Sequence, residues 1–114
     1  MTIEEKVKDI GAEPQIEAQT EMLCDSYAMG FAEAYATAMY HVESKPYSEI
    51  FDEAYKEAYK SQYKEANVTV RAITYMLFGL SRQETISYIN KLNILDKDTV
   101  NKIVNKEYIH CFSN

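Results

Sequence analysis

Apolar residues recur with helical period from Pro14 to about Val42. Ile16, Leu23, Tyr27, Phe31, Ala34, Ala38 and Val42 share one arc about 100° wide, the stripe that an amphipathic helix turns inward. Pro14 suits the first helical turn, where its missing N–H costs no hydrogen bond. Glu17, Glu21, Asp25 and Glu43 lie beside and behind the arc, and Met22, Met29 and Tyr40 gather on its far side. Ala28, Gly30, Ala32, Ala34, Ala36 and Ala38 are small enough to let another helix approach closely. Gly30 costs about 1 kcal/mol against Ala inside a helix, so close packing is expected there as compensation.

Glu43-Ser44-Lys45-Pro46 breaks the pattern, because the residue before a proline is pushed out of the helical region. A second long helix follows from about Pro46, with a bend expected near Asn67-Val68-Thr69. Phe51, Tyr55, Tyr59 and Tyr63 follow one another at four-residue spacing along it. The segments FAEAYATAM at 31–39 and FDEAYKEAY at 51–59 echo one another, which predicts similar packing seams on the two helices. Gly79 ends the second helix. Ser81 and Glu84 then form a capping box for a third helix over about 82–92, which buries Ile86, Ile89 and Leu92. Asn93 suits a left-handed cap. Asp96 or Asp98 starts a fourth helix to about Tyr108, with Val100, Ile103 and Val104 inward. Residues 1–12 read as a short helical lead ending near Gly11. No segment alternates long enough to be a strand. The expected fold is all-α, a single domain over 1–114: two long antiparallel helices spanning 14–80, then a helix-turn-helix-like hairpin at 81–108.

Charge sharpens this picture. The chain of 114 residues carries a net charge of −6, distributed unevenly. Residues 1–66 hold fourteen acids and six bases, and residues 67–114 hold four acids and six bases. Between Lys8 and Lys45 there are seven carboxylates and no Lys or Arg. Five acids, Asp9, Glu13, Glu17, Glu21 and Asp25, fall at strict four-residue spacing, where like charges repel along a helix flank. Such a row marks either a solvated edge or a surface kept for a cationic partner.

Ten tyrosines and no tryptophan add a second signal. Tyr offers a large rigid contact and one hydrogen bond, and it is enriched at interfaces. Acids interleaved with Tyr, such as Glu33 with Tyr40 or Glu53 with Tyr47, suit Arg-rich surfaces through ion pairing and cation–π contact. The partner-binding candidates are therefore Glu13, Glu17, Glu21, Asp25, Glu33, Tyr40, Met22 and Met29. The exposed Met22, Met29 and Tyr40 also predict a homodimer.

In the hairpin, the outward residues of the last helix are Lys97, Asn101, Lys102, Asn105 and Lys106. Asn reads adenine edges and Lys meets guanine or phosphate, so direct DNA contact is the alternative function. The ladder at 54–66, with Met76, Leu77, Gly79, Leu80, Ser81 and Ile86 in the following MLFGLSRQETI, resembles the C-terminal tails of Rpn-type transposase/nuclease proteins. That resemblance spans residues 54–103, lacks a counterpart of the nuclease domain, and implies oligomerisation rather than catalysis.

Catalysis finds no support in motifs: there is no Gly-rich phosphate loop, GxSxG or HExxH. Cys24 and Cys111 match no CxxC pattern, and Cys24, His41, His110 and Cys111 lack the paired spacing of a zinc site. His41 falls near the apolar arc and is expected to be packed. No cofactor or metal is expected. With neither a signal peptide nor a long apolar run, the expectation is a soluble cytoplasmic protein. The function expected is that of a non-enzymatic inhibitor, of the phage anti-defence or anti-CRISPR type, whose acidic Tyr-rich helix blocks a basic, nucleic-acid-handling partner. An antitoxin-like oligomerisation module is the third reading.

Overall fold

A computed structural model describes residues 1–112, and every regular element in them is helical. The order is α1 (Ile3–Ile10), α2 (Glu13–Met39), α3 (Tyr47–Leu77), α4 (Arg82–Lys91) and α5 (Lys97–Glu107), closed by a π-helical turn, Tyr108–Phe112. Asn67, Val68 and Thr69 lie inside an unbroken α3. Two compact units divide the chain: a terminal unit of residues 1–19 with the described part of 64–114, and a hairpin unit of residues 20–63. No described helix is long and apolar enough to cross a membrane.

Local signals set the ends of the short helices. Thr2 caps α1 through a reciprocal box with Glu5, and Gly11 ends it at φ 62°. α3 stops in a Schellman turn: Leu80 N–H donates to the Tyr75 carbonyl at 3.0 Å and Gly79 N–H to Met76 at 3.2 Å. Gly79 takes φ 110° there, a value at which any side chain is strained. Ser81 and Glu84 exchange their capping bonds at 3.1 and 3.0 Å, Asn93 sits at φ 55°, and Asp96 caps α5.

The terminal unit has the larger side chains in its core. Ile16, Val68, Tyr75, Met76, Leu80, Ile89, Val100, Ile103 and Val104 form one buried cluster. Leu92, expected inside, is 37% exposed. Thr85 takes the inner position instead, its hydroxyl satisfied by the Ser81 carbonyl at 2.9 Å. Glu13 accepts a two-pronged bond from Arg71 in this unit, and Lys6 meets Glu84 at 2.7 Å.

In the hairpin unit the buried residues are nearly all small. Thr20, Cys24, Ala28, Ala32 and Ala36 from α2 face inward with Ile50, Ala54 and Ala58 from α3. Each set steps by four, so each is a single i±4 ridge rather than a broad arc. Of the predicted inner arc, Ile16 is buried in the terminal unit, and the rest is overturned. Leu23, Tyr27, Phe31 and Val42 are 45%, 47%, 44% and 73% exposed, and Ala34 and Ala38 face solvent. The reason is steric: a seam of small residues brings the helices so close that large side chains fit only on its shoulders.

Two further expectations change with it. Gly30 lies away from the seam, where an added Cβ meets nothing within 4 Å, so it does not mediate close packing. The echoed segments are not equivalent seams either. Ala54 and Ala58 are buried, whereas their counterparts Ala34 and Ala38 are exposed.

Candidate protein-binding surface

Helix geometry assigns the shoulders. A step of one residue turns the helix by about 100°. On an antiparallel pair, the residues one past the seam on each helix therefore share one side, and those one before it share the other. On the first shoulder of the hairpin unit, Glu21 and Asp25 of α2 meet Tyr55 and Tyr59 of α3. Tyr55 Oη donates to Asp25 Oδ1 at 2.5 Å. That bond, with some burial, pushes the Tyr55 phenol up to about 12. Burial and then Glu21 push Tyr59 up as well. The rings of Tyr47, Phe51, Tyr55, Tyr59 and Tyr63 follow one another at 6.3, 6.5, 6.0 and 6.3 Å, each four residues from the last. Like charge along the acidic row is thus relieved at Asp25 by one phenol donor.

The second shoulder places Tyr27, Phe31 and Tyr35 of α2 beside Glu53 and Glu57 of α3. Its rings are near-parallel, with centroids 6.4 and 5.9 Å apart. A cavity of about 260 Å³ opens here, lined by Phe31, Tyr35, Glu43, Ile50, Glu53, Ala54 and Glu57. Lys45 Nζ sits against Glu53 at 3.2 and 3.3 Å, and this pairing raises the lysine's pKa. Eight carboxylates and three lysines fall within residues 20–63, so the hairpin unit carries −5 of the chain's −6.

The candidate residues scatter across these features. Glu21, Glu33, Met22 and Met29 are exposed on α2 of the hairpin unit, the methionines at 69% and 48%. Asp25 is engaged by Tyr55. Tyr40 packs its ring on His41 at 3.8 Å and edge-on to Tyr47 at 6.0 Å, in the turn between α2 and α3. His41 is therefore exposed rather than packed in a core, because α2 ends before it. Of the acids and tyrosines paired in the sequence, Glu53 holds Lys45, and the Tyr40 ring packs on His41 and Tyr47. Glu17 and Glu13 belong to the terminal unit, Glu17 exposed and Glu13 held below the usual carboxylate range by the Arg71 bond.

In the terminal unit Lys97, Asn101, Lys102 and Lys106 are exposed on α5 and Asn105 is half-buried. The described residues contain no group of three or more His, Cys, Asp or Glu arranged to hold a metal ion. Cys24 is buried in the seam, and burial pushes its thiol up, away from reactivity. The aromatic–carboxylate cavity was missed in the sequence. Its signal was Tyr27, Phe31 and Tyr35 at four-residue spacing one position before Ala28, Ala32 and Ala36.

No protein-family model, curated protein or solved structure matches the chain.

Proposed function

We propose that the chain is a non-enzymatic binding protein whose acidic, tyrosine-rich hairpin unit occupies a basic, nucleic-acid-handling surface of a partner protein. One observation carries this reading: exposed aromatic rings stand beside carboxylates on a unit with eight acids and three lysines. Aromatic area supplies contact at low entropic cost, and the carboxylates replace phosphate as the partner of Lys and Arg. Such a protein inhibits by competing with nucleic acid for the same cations. Met22 and Met29 extend the apolar part of the surface.

The test uses an Arg/Lys-rich peptide bound to labelled duplex DNA, with the chain added as competitor. Displacement of the DNA is expected, weakening steeply with salt. A variant with Glu21→Lys, Glu33→Lys and Asp52→Lys should lose it while keeping its helical circular dichroism. These three acids are exposed. Equal displacement by the variant would overturn the proposal.

A second reading is a DNA-binding regulator using α5, favoured by Lys97, Lys102 and Lys106, which are exposed and make no ion pair among the described residues. Direct binding of the DNA by the chain alone, lost on Lys102→Glu and Lys106→Glu, would select it. The oligomerisation module implied by the resemblance to Rpn-type tails is tested separately, by solution mass.

A further inference from the structure

Resting on the reading of the hairpin unit as a protein-binding surface, we infer that the cavity beside Phe31 and Tyr35 is the seat for a single arginine side chain of the partner. Three properties select that occupant. The first is size: about 260 Å³ lies below the range of pockets that take cofactors or drug-sized ligands. It suits one side chain entering from another protein.

The second is charge. Glu43, Glu53 and Glu57 line the cavity, and among the described residues no cationic side chain does. Glu53 already binds a cation from its own chain, the Lys45 ammonium, through both carboxylate oxygens. An incoming anion is repelled by this wall, whereas a cation is attracted by Glu43 and Glu57 beside the carboxylate that Lys45 already occupies.

The third property separates arginine from lysine. Phe31 and Tyr35 present rings inclined by only 16° to one another, and both side chains are more than a third exposed. A planar guanidinium stacks on such a ring face while its edge donates a fork of hydrogen bonds to a carboxylate; a spherical ammonium does only part of this. Both halves of that recognition occur elsewhere in the same chain. The Arg82 guanidinium carbon lies 4.7 Å over the Tyr108 ring, and Arg71 forks onto both carboxylate oxygens of Glu13. Ile50 and Ala54 form the apolar floor against which the methylene stem lies.

The experiment compares two capped peptides of equal length and charge, one carrying Arg and one Lys, titrated into the full chain. Ring resonances of Phe31 and Tyr35 report occupancy, and peptide fluorescence anisotropy reports affinity. The wild-type chain is expected to bind the Arg peptide roughly five- to tenfold more tightly, about the size of one exposed cation–π contact plus a charge-assisted hydrogen bond. Glu57→Gln and Phe31→Leu should each erase that preference. Their effect on the Lys peptide should be smaller, since it responds to overall charge.

Equal affinity for the two peptides, or an Arg preference that survives both substitutions, would overturn the arginine seat and leave the acidic-surface reading standing. Failure of both peptides to bind at low salt would overturn the acidic surface and the seat together. Phe31 and Glu57 are solvent-exposed, so both variants keep the seam; unchanged helical circular dichroism verifies this.

Discussion

The Tyr55–Asp25 bond concentrates the logic of the hairpin unit in one pair of side chains. Asp25 is one of five acids at four-residue spacing, and on α2 alone its charge adds only repulsion. A phenol from α3 converts it into an acceptor. The Tyr55 pKa, raised to about 12 from 10.0 mainly by that bond, fixes the sign of its linkage to stability. A group with a raised folded-state pKa contributes below its unfolded value and loses the contribution as pH climbs through the folded one. The stabilising bond is therefore fully present below pH 10 and is lost toward pH 12. Alkaline titration by tyrosinate absorbance should show a late-ionising phase, and Tyr55→Phe should remove one tyrosine from it. Asp25→Asn should bring that tyrosine back toward an ordinary pKa. A late phase unchanged in both variants would mean that the bond does not form in solution.

Among the elements, local chemistry was the legible part and partner-dependent burial was not. Ser81 with Glu84, Asp96, Asn93 and Gly79 mark helix ends through bonds within a few residues, so their types and spacing suffice to locate them. The buried face of α2 depends on what lies against it. Large residues defined a plausible arc through Leu23, Tyr27 and Phe31, yet the observed seam runs through Cys24, Ala28 and Ala32 because α3 answers with Ala54 and Ala58. Small residues were visible on both faces, and only the partner helix decides between them. Paired substitutions in α2 separate the two faces. Ala32→Leu forces a large side chain into the seam and should cost about 1–3 kcal/mol in chemical denaturation. Ala34→Leu, on the exposed face, should be close to neutral. Gly30→Ala should stabilise by about 1 kcal/mol, because helix propensity rises and the new methyl meets nothing. A destabilising Gly30→Ala, or a neutral Ala32→Leu, would place the seam elsewhere on the helix.

At the scale of the whole molecule, the two units differ in what holds them and therefore in how they fail. The terminal unit buries Ile16, Val68, Tyr75, Met76, Leu80, Ile89, Val100 and Val104, each large enough to contribute about 1.5–3 kcal/mol of burial if fully removed from water. The hairpin unit buries Thr20, Cys24 and five alanines beside the single large aliphatic Ile50. Close packing recovers dispersion energy, but far less apolar area leaves water. Native-state hydrogen exchange should accordingly find the hairpin-unit amides opening at lower free energy than the core of the terminal unit. Their pH limits should also diverge. Glu13 and Glu84, both in the terminal unit, are held below the ordinary value of 4.5 by Arg71 and Lys6 respectively. A lowered folded-state pKa contributes stability above the unfolded value and loses it as pH falls through the folded one. Acidification below pH 4.5 should thus weaken the terminal unit first, and Glu13→Gln should blunt that loss. The Glu13 part is about 1 kcal/mol or less, since the carboxylate is largely exposed and water screens the pair. The hairpin unit meets its own limit at the alkaline end, where Tyr55 ionises. Uniform exchange protection across both units, with identical acid sensitivity, would show that they unfold as one cooperative body; graded protection would leave the hairpin unit free to adjust its shoulders to a partner while the terminal core stays closed.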